Sequence, residues 1–214
     1  MKKNIEKLEI FNLKGKSLGV KNRSTFYLEI KKEFLKTNKI SKKVKSIRLL
    51  LMNSEGRIYL QKRSNIKEEN PGLYDKTVGG HVLPGESWNT TVVRECAEEL
   101  GFPAVILNDE FNNAVRTIDL KIIGIFKQVD EITNFESVRI DKNENKFIQP
   151  YISAFFIGYY DGAIRFVDGE SSRIEVFSLK ELEDEIKYNP SKFTEDIKFM
   201  ITNYKKYIKP INKV

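Results

Sequence analysis

Four glutamates, Glu86, Glu95, Glu98 and Glu99, and one arginine, Arg94, crowd into the segment GHVLPGESWNTTVVRECAEELGF, residues 80–102. Carboxylates at this density suit a hard dication, which prefers oxygen ligands and is held through a few carboxylates together with substrate phosphates. Residues 87–100 carry a helix pattern, with Ser87 able to cap its start and Gly101 placed to end it. At ~100° per residue with Glu95 as zero, Glu98 falls near ~300° and Glu99 near ~40°, while Val93, Cys96, Ala97 and Leu100 fall between ~100° and ~200°. The spacing therefore predicts one apolar face and one face of carboxylates. Like charges at i, i+3 and i+4 repel by roughly a few tenths of a kcal/mol per pair, which a bound cation would offset. Taken alone, the three helical glutamates also fit a solvated acidic face paired with Arg94 and nearby lysines.

The surrounding spacing decides between these readings. Gly80, Glu86, Arg94, Glu95, Glu98, Glu99 and Gly101 occupy every fixed position of Gly-x5-Glu-x7-Arg-Glu-U-x-Glu-Glu-x-Gly-U, with Cys96 and Phe102 at the two bulky apolar positions U. The segment thus resembles the Nudix box, and the chain is identified as a member of that superfamily. A wider stretch, roughly 46–199, resembles the branch that includes isopentenyl-diphosphate isomerases: Gln61-Lys62-Arg63-Ser64, Lys67, Pro71-Gly72-Leu73 and Gly79-Gly80-His81 carry that likeness. Two departures separate the chain from those isomerases. They use a cysteine just before the Gly-His pair, where Gly79 stands here, and they bind metal through several histidines, whereas His81 is the single histidine of this sequence.

The resemblance implies a hydrolase of a diphosphate linkage, acting on a small-molecule nucleoside diphosphate joined to another moiety. It implies Mg²⁺ or Mn²⁺ held by Glu95, Glu98 and Glu99, with the carbonyl of Gly79 as a further ligand, and a water activated for attack on phosphorus. Glu95 is the expected base. Arg94 and Glu98 complete the catalytic group; Arg94 either orients a carboxylate or forms an ordinary helix ion pair. Glu86 either reaches the metal through water or hydrogen-bonds the loop. Arg63 and Lys67 match positions that contact the diphosphate, and Glu136, Glu144 and Glu170 are equal candidates for an additional carboxylate from a later loop. The rivals are an isomerase and a non-catalytic nucleotide or RNA sensor of the same fold.

The elements that must position these residues follow from periodicity. Residues 1–23 suggest a small hairpin or edge addition, and 24–38 carry Phe26, Ile30, Phe34 and Leu35 at helical spacing. Residues 47–52 and 57–61 flank Asn53-Ser54-Glu55-Gly56 and read as a hairpin. Strands are expected at 120–129 and 151–160, joined by the polar segment 130–150, and again at 164–167 and 175–177 after the Asp161-Gly162 turn. Ser178 and Glu181 form a capping box for a helix to about residue 187, and a last helix carries Ile197, Met200, Ile201 and Tyr204. Hairpins mixed with helices predict an α/β class, and the resemblance implies the Nudix-type α/β/α sandwich around a mixed β-sheet. Residues 1–45 are expected as an N-terminal extension packed on a domain spanning 46–214.

Composition sets the outer bounds. Hydrophobic residues at 40% and 214 positions suffice for a packed core, and one cysteine excludes an internal disulfide framework and fits a reducing cytoplasm. The start, MKKNIEKLEIF, shows no signal-peptide core, and no apolar run is long enough for a membrane span. A net charge of +7 permits RNA or an oligomeric partner without arguing for either, because the lysines are scattered. Cys96 is expected to be a buried inert thiol, His81 a hydrogen-bonded core residue, and Trp88 to pack over the start of the box helix.

Overall fold

The central strand β3 (Lys42–Met52) is buried at nine of its eleven positions, as expected for a strand covered on both faces. In the computed structural model, which describes residues 6–165 and 171–211, this strand organises a ten-stranded mixed sheet. It pairs antiparallel with β1 (Lys7–Asn12), β4 (Ile58–Arg63) and β6 (Val78–His81), and parallel with β9 (Lys146–Tyr159). β2 (Ser17–Asn22) pairs with β1, β5 (Tyr74–Asp75) and β10 (Ser171–Phe177) with β4, and β7 (Ala104–Ile106) with β8 (Gly124–Ile140), which pairs with β9. Among the described residues no helix is long and apolar enough to cross a membrane.

Alternation along β3 sends side chains into two layers. Ile47, Leu49 and Leu51 pack with Val92, Cys96 and Leu100 of the box helix. Leu50 and Met52 face a second core holding Phe111 and Val115 of α3 (Phe111–Thr117), Leu182 of α4 (Leu179–Tyr188) and Ile197 and Met200 of α5 (Glu195–Tyr204). A third cluster, Leu8, Ile10, Phe26, Ile30, Ile40, Val44 and Tyr151, lies under α1 (Arg23–Thr37). The expected sandwich is therefore present, and the expected N-terminal hairpin joins the sheet through β1.

The capping box of α4 is complete: Ser178 Oγ accepts from the Glu181 N–H, and the Glu181 carboxylate accepts from the Ser178 N–H at 2.7 Å. Three sequence expectations need correction. The polar segment 130–150 is no connector, because β8 and β9 run through it as a long bulged ribbon closed by a turn at 141–145. Its inward positions are Phe135, Ser137 and Arg139, so buried polar side chains hide the usual alternation. Residues 120–122 form a turn and the strand starts at Gly124; residues 164–165 are not in a strand, and 166–167 lie outside the described residues. Helix α3, short and without a side-chain cap, was not legible in the sequence at all.

Candidate active site

Ser87 caps α2 (Trp88–Glu95) by accepting from the Thr90 N–H at 3.1 Å. The helix then widens into a π-helical turn, Cys96–Leu100, and Gly101 at φ 74° closes it. Turns of this kind recur at functional sites because they redirect successive side chains. Here Glu98 is left 61% exposed, whereas Glu99 lines a large cavity.

The helix is also rolled relative to the wheel drawn from sequence. Its buried residues are Thr91, Val92, Glu95, Cys96 and Leu100, while Val93 is 40% exposed and Ala97 is exposed. Glu95, at 7% exposure, takes the place expected for an apolar side chain. Gly80 makes this possible: a Cβ there would overlap the Glu95 carboxyl group. The glycine at the head of the motif is thus required by close approach.

Arg94 ties the motif together. Its Nε donates to Glu86 at 2.9 Å, its Nη2 to Glu86 at 3.1 Å and to the His81 carbonyl at 2.9 Å, and its Nη1 to Glu95 at 2.8 Å and Glu98 at 3.1 Å. Glu86 also accepts from Thr91 Oγ1 and from the Leu83 N–H, so it holds the loop before the helix. Burial would raise its carboxyl, yet these hydrogen bonds keep it below the usual range. For Glu95 burial wins, pushing the carboxyl up to about 7 against the pull of Arg94, with Glu98 adding to the rise.

Among the described residues no three His, Cys, Asp or Glu side chains converge closely enough to cage a metal, because Glu95 and Glu98 are turned onto Arg94. The donor chemistry nevertheless suits a hard cation. Glu95 and Glu98 already share the positive charge of one guanidinium nitrogen, and Glu99 and Gly79 border the adjoining cavity.

That cavity, about 870 Å³, lies between α1, the sheet and the β8–β9 ribbon. Eight Lys or Arg residues line it against four Asp or Glu. Arg63 and Lys67 are among them, as are Gly79 and Gly80. Arg63 also holds its own loop, donating twice to the Glu69 carbonyl at 2.8 and 3.1 Å. Of the later glutamates, Glu136 is exposed on β8 and Glu144 sits in the ribbon's turn at φ 63°, neither lining the cavity; Glu170 lies outside the described residues.

The cavity wall holds residues that no local pattern singles out. Arg48 donates to Asp196 at 3.0 Å and to Ser46 and Ser153; Lys76 donates to Asp75 and to Asp196 at 3.2 Å. Both acids are buried, and although burial opposes ionisation their cationic neighbours hold them below the ordinary aspartate range: Lys76 and Arg63 for Asp75, Arg48 and Lys76 for Asp196. Lys76 also fills the space beside Gly79, where a Cβ would stand 2.5 Å from its Cε. His81 meets Tyr27 at 2.7 Å through Nε2 and Glu6 at 3.3 Å through Nδ1, and burial lowers its pKa. Cys96 is fully buried and its thiol is pushed well up by burial. Trp88 packs partly buried against the core, its Nε1 donating to Glu131 at 3.0 Å.

Known proteins share this sequence pattern and this fold. The NUDIX domain family model matches residues 42–197. An uncharacterized Nudix hydrolase of Nostoc sp. is 25% identical over 71% of this chain and 82% of its own length. An isopentenyl-diphosphate Delta-isomerase of Serratia proteamaculans is 27% identical over 68% of each chain. Among solved structures, DR0079 of Deinococcus radiodurans superposes with a TM-score of 0.63 at 18% identity, over 92% of this chain and 98% of that one. A bifunctional NMN adenylyltransferase/ADP ribose pyrophosphatase of Francisella tularensis, complexed with AMP and a manganese ion, superposes at 0.52 and 17% identity, over 86% of this chain and 47% of that one.

Proposed function

The chain belongs to the NUDIX family and is a Nudix hydrolase, and from that premise we propose that it cleaves the diphosphate linkage of a nucleoside diphosphate joined to another moiety, with Mg²⁺ or Mn²⁺. The observation that carries the reading is the complete box set against the cavity: Glu95 seated behind Gly80, Glu99 on the cavity rim, and a surplus of basic residues on the facing walls. A polyanion with both a phosphate group and an organic group fits such a site in charge and size.

Glu95, Glu98 and Glu99 would hold the cation, with the Gly79 carbonyl beside them. When bound, the cation supplies charge to the phosphate oxygens and acidifies water. Water adds to one phosphorus, the bridging oxygen departs with the electron pair of the broken P–O bond, and Glu95 accepts the proton that water loses. Without a cation, burial holds the Glu95 carboxyl up at about 7, and a bound cation would lower it toward the ionised form that a base needs. Arg94 orients Glu95 and Glu98 and joins the helix to the His81 carbonyl, so it is a positioning residue. Arg63 and Lys67 contribute charge for the diphosphate.

Isomerisation is the less supported reading. Where the isomerases carry a thiol, this chain has Gly79, and Lys76 already fills the space a side chain would need. We assign residues 1–45 to an extension that completes the cavity of a domain spanning 46–214, and the single, buried cysteine suits a cytoplasmic location.

Turnover of a panel of nucleotide sugars, dinucleotides and ADP-ribose in ¹⁸O water, with Mg²⁺ or Mn²⁺, tests the proposal. Label should enter a phosphate product, and Glu98→Gln or Glu99→Gln should lower the rate roughly a hundredfold. Wild-type rates in both variants, or deuterium from heavy water entering an isoprenoid carbon with no phosphate label, would overturn it.

A further inference from the structure

We infer that Arg139, on the β8–β9 ribbon and outside the Nudix box, is the residue that anchors a phosphate group in the cavity beneath α1, and that α1 supplies the wall for the nucleoside base. The nucleoside part of this inference rests on the hydrolase reading above. Arg139 lines the cavity yet is only 8% exposed. A guanidinium carries five N–H donors, and leaving them unmet in a buried place is costly.

Among the described residues Arg139 makes no hydrogen bond, and its Nε is sealed from solvent without a partner. It makes only loose ion pairs, Glu69 at 3.7 Å from Nε and Asp196 at 3.8 Å from Nη2, both beyond hydrogen-bond reach, and lies 5.7 Å from the centre of the Tyr151 ring. The neighbouring cations contrast with it. Arg48 donates to Asp196 and two serines, Arg63 to Glu69 and Asp75, and Lys76 to both buried aspartates. Asp196 is already committed to Arg48, Lys76 and Ser137. Arg139 is therefore a guanidinium paired only loosely, in a cavity where basic residues outnumber acidic ones two to one. A phosphate matches its terminal nitrogens in charge and hydrogen-bonding capacity.

The wall next to Arg139 has a different chemistry, since Arg139 pairs across the ribbon with Phe147. From α1 come Tyr27, Ile30 and Phe34, and the ring of Phe34 lies 5.7 Å from that of Phe147 on the ribbon. An aromatic base placed there would lie on the apolar side with its phosphate beside it at Arg139, the register partner of Phe147.

Calorimetric binding of inorganic pyrophosphate and ADP to the full chain, without divalent cation, separates the two halves. Wild type should bind both, ADP the more tightly by about tenfold; Arg139→Gln should weaken both by about tenfold or more, and Phe34→Ala should weaken ADP alone. Unchanged pyrophosphate affinity in Arg139→Gln, or no binding of either ligand to wild type, overturns the anchor. ADP no tighter than pyrophosphate overturns the base wall. Should Arg139→Gln fail to fold, Arg139→Lys keeps the charge but loses the guanidinium, and unchanged affinity there is equally fatal. Binding is read without turnover. An inactive protein that still needs Arg139 for ADP sinks the hydrolase reading alone, and an active one indifferent to Arg139 sinks this inference alone.

Discussion

On the box helix and its preceding loop, four carboxylates and an arginine lie within fourteen residues, and Glu98 stays 61% exposed. Within the neighbouring sheet and α5, Arg48, Asp75, Lys76 and Asp196 come from two strands, a loop and a helix, and each is at most 4% exposed. The first group keeps its charges in water or on one shared guanidinium, so neutralising a member relieves repulsion. The second group has no water to fall back on. Removing one charge there leaves the others buried and unpaired, and that difference between a ligand-ready cluster and a closed structural network can be tested directly.

Asp196→Asn should show the largest effect. It accepts from Arg48 at 3.0 Å, Lys76 at 3.2 Å and Ser137 at 2.6 Å, and breaking a buried pair from one side typically costs about 3–5 kcal/mol. Denaturant unfolding should show this loss, while Glu98→Gln without metal should stay level or gain slightly. Equal stability for the two variants would erase the contrast. Because Asp196 is held below its unfolded value, its contribution is present above the unfolded pKa and lost as pH falls through the folded one.

Glu95 should behave in the opposite sense. Its folded pKa is about 7 against an ordinary 4.5, so the folded state binds the extra proton between these values, and stability falls as pH rises across that window. Above it the buried carboxylate is a liability. Thermal melts from pH 5 to pH 8 without metal should show the slope in wild type and a flatter profile in Glu95→Gln; identical profiles would mean that burial does not govern this group.

Ser178→Ala marks the small end of the scale. It removes one reciprocal half of an exposed capping box and should lower stability by about 1 kcal/mol, measured by the denaturation midpoint. A loss as large as that of Asp196→Asn would show that local caps rival the buried network.

Local signals in the sequence determined a good deal. The box spacing, the Ser87 and Ser178 caps, the Gly101 stop, the hairpin around 53–56 and the periodicity of α1 and α5 each reside within a few consecutive residues, where backbone preference and side-chain reach act without help from the rest of the chain. These identified the class of fold and the cluster of glutamates. Tertiary structure alone decided the roll of the box helix, because the slot for Glu95 exists only where Gly80 of β6 passes against it. It alone extended β8 and β9 through a polar segment, since the inward places of Ser137 and Arg139 are polar and defeat any reading by alternation. And it alone joined Arg48, Lys76, Asp75, Asp196 and Arg139, whose attraction operates over a few ångströms in space but across as many as 148 positions of sequence between Arg48 and Asp196.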